Sequence, residues 1–283
     1  MNAAAILSRL KGPAVAAALS LIPAAVVAAP ERVVSMNLCT DQLAMLLAAP
    51  GQLLAVSYLA HDPRASSMAE EAKAYPANRG LAEEVFLMKP DLVIAGTFTT
   101  RATVDMLRRL DVEVVEFAPA NSLDDVRARL LQMGEALGRE AEAAHLIAEF
   151  DADLAAARAD GGDRPRAALY YANSYTLGAG TLADSVVDAA GLANVAVELG
   201  YDGGGRLPLE TLVMETPDLV VTGRDMEGTA LAEENLAHPA LAALRADADA
   251  APVSDRNWIC GTPFITAAIR RLAAARDAVL AQP

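Results

Sequence analysis

The side chains able to bind or transform a ligand are few and scattered along this chain. Its three histidines are His61, within Ala60-His61-Asp62-Pro63, His145 and His238. His61 could ligate a metal through a neutral ring nitrogen, or be a solvated loop residue. His145 falls inside a helical pattern and His238 stands beside Pro239, so neither forms an evident triad with a Ser or Cys. No H-E-x-x-H and no G-x-S-x-G occurs, and Gly203-Gly204-Gly205-Arg206 lacks the Lys-Ser/Thr that completes a phosphate loop. An exported hydrolytic enzyme is therefore the weaker reading, and the chain is expected not to be an enzyme. A protein binding free Zn²⁺ or Mn²⁺ would need several His, Asp or Glu ligands together, so no metal site is assigned. Cys39 and Cys260 leave three chemistries open: a disulfide, two inert thiols, or soft ligands to a metal centre.

Alternating strands and helices must position these groups. Strand patterns cover Glu31 to Met36, Leu53 to Tyr58, Asp91 to Ala95 and Val112 to Phe117, and then Ala167 to Tyr171 and Leu219 to Thr222. Helical periodicity opens at Thr40-Asp41, near Thr100 to Leu110, near Leu182 to Ala190, and from about Thr266 to Leu280. Ser122 caps a long helical region running to about Arg158, with Gly138 as its break. Short buried strands separated by helices imply a parallel α/β sheet on either side of that long helix. The expected division is residues 1–28 a signal peptide, 29–137 an N-terminal lobe, 138–160 a connecting helix and 161–283 a C-terminal lobe. Arg9 and Lys11, a small apolar run and Val27-Ala28-Ala29 carry the signal-peptide reading and imply export.

Composition narrows the class. Of 283 residues, 54% are hydrophobic and the net charge is −14. That content excludes a disordered chain, and the absence of a Lys/Arg cluster argues against nucleic acid as a partner. An internal repeat ties the halves together. Glu83 to Gly96 and Glu210 to Gly223 both read E-x6-P-D-L-V-x-x-G, 127 residues apart. Each is a short helix stopped at Pro and followed by a buried strand.

This pattern resembles the periplasmic substrate-binding proteins of ABC importers, in the family that carries cobalamin, iron-siderophores and haem. The resemblance rests on Arg32-Val33-Val34-Ser35, Lys89-Pro90-Asp91-Leu92-Val93, the long central helix, Gly178-Ala179-Gly180-Thr181-Leu182, and Ala190-Gly191-Leu192-Ala193-Asn194-Val195. It implies an α/β fold of two similar lobes with parallel-type central sheets, joined by one long rigid helix, with the ligand cleft between them. It also implies that Glu83 and Glu210 pair with arginines of a permease dimer in the inner membrane, although each Glu could merely favour a helix N-terminus. The binding protein itself is expected to be a monomer.

Cleft residues belong at the C-terminal ends of the parallel strands. In the first lobe these are Tyr58, His61, Phe98 and Arg101; in the second, Tyr171, Tyr175, Arg206 and Arg224, with Trp258 at the position where the family often has an aromatic facing ligand. One of Tyr170 and Tyr171 must face the core, since neighbours on a strand point to opposite faces. Cys39 and Cys260 would approach the cleft from opposite lobes as possible cleft thiols, and a bond between them would tie the lobes together. The resemblance makes the cargo a cobalt- or iron-containing chelate and implies no resident cofactor. Aromatics at 4% and the lack of an Arg cluster disfavour catecholate siderophores, which puts corrinoids first and haem or another iron chelate next.

Overall fold

The computed structural model describes residues 28–159, 161–223, 231–247, 249–250 and 255–282. The proposed signal segment falls almost wholly outside them. The N-terminal half runs β1 (Val33–Ser35), α1 (Leu38–Leu47), β2 (Leu53–Ser57), α2 (Ala69–Ala72), β3 (Ala77–Asn78), α3 (Ala82–Leu87), β4 (Leu92–Gly96), α4 (Arg101–Arg109) and β5 (Glu113–Phe117). Its five strands form one parallel sheet in the order β3-β2-β1-β4-β5. Two helices follow, α5 (Leu123–Leu137) and α6 (Glu140–Ala157). The C-terminal half contains β6 (Arg166–Leu169), β7 (Tyr175–Leu177), α7 (Leu182–Ala189), β8 (Ala193–Asn194), α8 (Val195–Glu198), β9 (Gly204–Arg206), α9 (Leu209–Glu215), β10 (Leu219–Val221), α10 (Pro239–Asp247), β11 (Asp249–Ala250) and α11 (Ile265–Leu280). Here β11-β10-β6-β8 make a second parallel sheet, while β7 and β9 form a small antiparallel ribbon.

Local chemistry accounts for the main boundaries. The Ser122 hydroxyl accepts the Asp125 N–H and starts α5. Gly138 ends it in the left-handed region at φ 66°, and the chain turns directly into α6. The long helical region is thus two packed helices. Arg127 of α5 joins them, reaching Asp151 of α6 at 2.7 Å and lying 5.4 Å over the Phe150 ring. The first helix begins earlier than Thr40: the Asn37 side chain accepts the Cys39 N–H, so α1 opens at Leu38 and Cys39 lies in its first turn rather than in a loop. Of the adjacent tyrosines, Tyr170 is fully buried with its hydroxyl 2.9 Å from Ser174 Oγ, and Tyr171 is half-buried.

The repeat has a common structural basis. In both copies the residue before Pro adopts a left-handed conformation, Lys89 at φ 51° and Thr216 at φ 43°. The aspartate after Pro then accepts backbone N–H groups at the start of the neighbouring strand: Asp91 from Arg32 at 2.9 Å, Asp218 from Arg166 at 2.7 Å. Those arginines reach back to the ends of the short helices. Arg32 donates to Met88 O and Lys89 O, and Arg166 to the Glu215 carbonyl and carboxylate. Each arginine satisfies helix-end carbonyls that no intrahelical donor can reach.

The core is nearly continuous across the two halves, running from Val33 and Leu43 through Leu130, Met133 and Phe150 to Leu169, Val187 and Ile269. Helix α6 packs against α5 on one side and α11 on the other. Among the described residues, no helix is long and apolar enough to cross a membrane.

One ionisable group lies inside this core. Asp41 of α1 is fully buried, accepts the Ser57 hydroxyl through Oδ2, and has no partner at Oδ1. Burial pushes its carboxyl up to about 6 from an ordinary 3.8, against hydrogen bonding to Ser35 and Ser57, which pulls it down. A carboxyl raised on folding binds its proton more tightly in the native state, so stability falls as pH rises from about 4 to about 6. Asp41→Asn removes this slope. Its stability relative to the parent should rise by about 2 kcal/mol between pH 4 and pH 7 in urea titrations; a pH-independent difference would contradict the assignment.

Candidate functional site

The two halves face each other across a cleft built from the C-terminal ends of their parallel strands. From the first lobe come Asn37 after β1, Thr97 and Phe98 after β4, and Ala118 to Ala120 after β5. From the second come Tyr171 after β6 and Leu182 at the start of α7, with Trp258 and Ile259 from the segment ahead of α11. Two recesses result, of about 240 and 370 Å³, sharing Ala120 and Ile259 as a common ridge. Tyr171 and Trp258 meet edge to face at 6.5 Å and 67°, making an aromatic wall in which Trp258 is largely buried. Phe98 is 86% exposed and Ile259 56%, the kind of apolar surface that a large ligand would cover.

The ridge is where the lobes touch. A Cβ on Gly261 would collide with that of Ala120, so only glycine permits this approach. Ser67 Oγ donates to Arg256 O at 2.6 Å beside it. Between these contacts Cys39 and Cys260 form a disulfide, their Cα atoms 5.1 Å apart and 221 residues apart in sequence. The reading of these residues as possible cleft thiols is thereby corrected. Cys260 lies in a bend ahead of α11. Cys39 is half-buried and Cys260 fully so, and the bond sits at the seam with a recess on each side of Ile259.

The other expected contacts divide. Phe98, Tyr171 and Trp258 come together around the cleft. Tyr58 is 56% exposed at the start of the Tyr58–His61 turn, and Arg101 is exposed at the start of α4; neither lines the two recesses. His61 is half-buried, with a buried Nε2 that has no partner. Tyr175 and Arg206 pair across the β7–β9 ribbon, where a Cβ on Gly204 would strike the Tyr175 hydroxyl; the glycine run is a seat for that ring. Arg206 lines a separate recess beside Glu210, Met214 and His238. Arg224 lies outside the described residues. Glu83 and Glu210 are exposed in the first turns of α3 and α9. Sequence reasoning overlooks Arg129, which lines the smaller recess from α5; its Nη1 donates to Gln132 at 2.7 Å while its buried Nε has no partner. The available signal is a charge beside the apolar stripe Val126, Leu130 and Met133. Among the described residues, no group of three His, Cys, Asp or Glu could hold a metal ion.

The chain is a two-lobed α/β body with parallel sheets and an apolar, aromatic-walled cleft between the lobes. The family model described as periplasmic binding protein matches residues 33–248, and the chain belongs to that family. A curated cobalamin-binding protein of Halobacterium salinarum is 32% identical over 201 residues, covering 69% of this chain and 54% of the relative. The chain thus spans about half the length of the curated relatives it matches. Among solved structures, the apo haem-binding protein RhuT of Roseiflexus sp. RS-1 superposes with a TM-score of 0.72 at 23% identity, covering 88% of this chain and 99% of that one. The vitamin B12-binding protein BtuF of Vibrio cholerae gives 0.63 at 17%, covering 89% and 99%. These two structural likenesses establish the fold.

Removing the disulfide tests the seam. Cys39→Ser with Cys260→Ser should lower stability by about 2–5 kcal/mol in denaturant titrations, since the bond closes a very long loop. The denatured, unreduced parent should yield no titratable thiol. Two titratable thiols in that sample would contradict the pairing.

Proposed function

We propose that this chain is the substrate-binding component of an ABC importer, capturing a metal chelate in the periplasm and delivering it to a membrane permease. A corrinoid is the favoured cargo, with haem or an iron-siderophore next. The carrying observation is the 32% identity to a cobalamin-binding protein over 69% of the chain, together with an exposed apolar ridge and aromatic wall in the cleft. Such a surface suits a large, partly apolar chelate whose metal already has its ligands. It offers a bare cation no cluster of donors among the described residues. Export through residues 1–28 and permease docking through Glu83 and Glu210 complete the reading.

The cargo is a coloured, conjugated macrocycle in two of these cases, so binding should be visible directly. Cyanocobalamin added to the purified protein should quench the fluorescence of Trp258, the single tryptophan, and bind saturably without turnover. Ile259→Asp places a charge on the shared ridge and should weaken binding by roughly tenfold or more while leaving the fold intact. If neither cyanocobalamin nor haem binds, the corrinoid and haem readings fail. An unchanged affinity in Ile259→Asp would instead remove the ridge from the site.

A further inference from the structure

The two proposed docking glutamates each have an apolar companion. In α3, Leu87 lies four residues after Glu83, and in α9, Met214 lies four residues after Glu210. That spacing puts each pair on one helix face, a single turn apart. Leu87 is 77% exposed and Met214 82%, more than the other exposed large hydrophobics apart from Phe98 in the cleft. The match extends backwards: Leu81, 57% exposed, and Pro208, also exposed, each lie two residues before their glutamate. Neither Glu83 nor Glu210 makes an ion pair among the described residues. Two copies of one surface, apolar–acid–apolar, thus stand on repeat-related helices.

We infer that Leu87 and Met214 are the main affinity contacts with the permease, resting on the docking reading above, and that each half of a two-fold symmetric permease offers them an apolar socket one helical turn from a cationic group. A partner built from two identical subunits presents the same half-site twice, which is what two repeat-related patches on one rigid body can meet together. The division of labour follows from the physics. Exposed carboxylates steer and orient, and salt weakens them. A large apolar side chain moved from water into a socket contributes affinity that salt does not screen. The left-handed residues Lys89 and Thr216 and the arginine braces from Arg32 and Arg166 secure the ends of both helices, so the two patches are presented alike.

The test uses full-length protein loaded with cyanocobalamin and its cognate permease–ATPase complex in proteoliposomes, reading the half-saturating protein concentration for stimulated ATP hydrolysis at low and high NaCl. Leu87→Ser with Met214→Ser should raise that concentration about tenfold or more at both salt levels, with cyanocobalamin affinity and thermal midpoint unchanged. Glu83→Ala with Glu210→Ala should raise it chiefly at low salt and flatten the salt dependence. A Leu87→Ser and Met214→Ser double variant within twofold of the parent would overturn the inference while leaving the docking reading intact. If the unaltered protein fails to stimulate the complex, or the glutamate variant behaves as the parent does, the docking reading itself falls and the inference with it.

Discussion

The fixed separation of the two lobes governs the rest of the molecule. It is held on one side by α6, wedged between α5 and α11, and at the seam by the Cys39–Cys260 bond with its Gly261–Ala120 contact. A binding protein joined by flexible strands can open widely. Here, opening must bend a packed helix or pivot about a covalent link. The cleft is therefore largely preformed, and a preformed cleft lowers the ordering cost of any ligand it encloses.

Much of this architecture was legible from residue patterns because local rules and tertiary packing agree there. Ser122, Gly138, the strand runs and the two P-D-L-V segments each carry their own signal, and each occupies the element that signal implies. Departures occur where a long-range partner decides the outcome. Asn37 caps α1 ahead of the more conspicuous Thr40-Asp41, which moves Cys39 onto a helix facing Cys260. Gly203-Gly204-Gly205 is shaped by the Tyr175 ring across the ribbon and the nearby Tyr201 ring, and Arg206 lines the recess beside Glu210 instead of the cleft. Arg32 and Arg166 look like ordinary strand-edge charges until the helix ends they brace are in view.

The site was legible in part. Phe98 and Tyr171 follow from strand ends and Trp258 from the family resemblance, and all three line the cleft. Arg129 and Ile259 do not follow, because one lies on a helix whose periodicity points to the core and the other in a turn. Few charges line the two recesses of this strongly acidic protein. Among the described residues its carboxylates lie mostly on the outer surface, and the two recesses are lined chiefly by apolar side chains.

The disulfide also sets the covalent topology of the chain. Residues 39 to 260 form a closed ring that contains both copies of the repeat, the whole connecting helix and every strand of the two parallel sheets except β1, with β1 and α11 outside it. A single backbone cut within that ring, even through α6, leaves one molecule with its lobes still attached. Continuity between the lobes is thus carried twice, once by peptide bonds and once by sulfur, and losing either alone does not separate them.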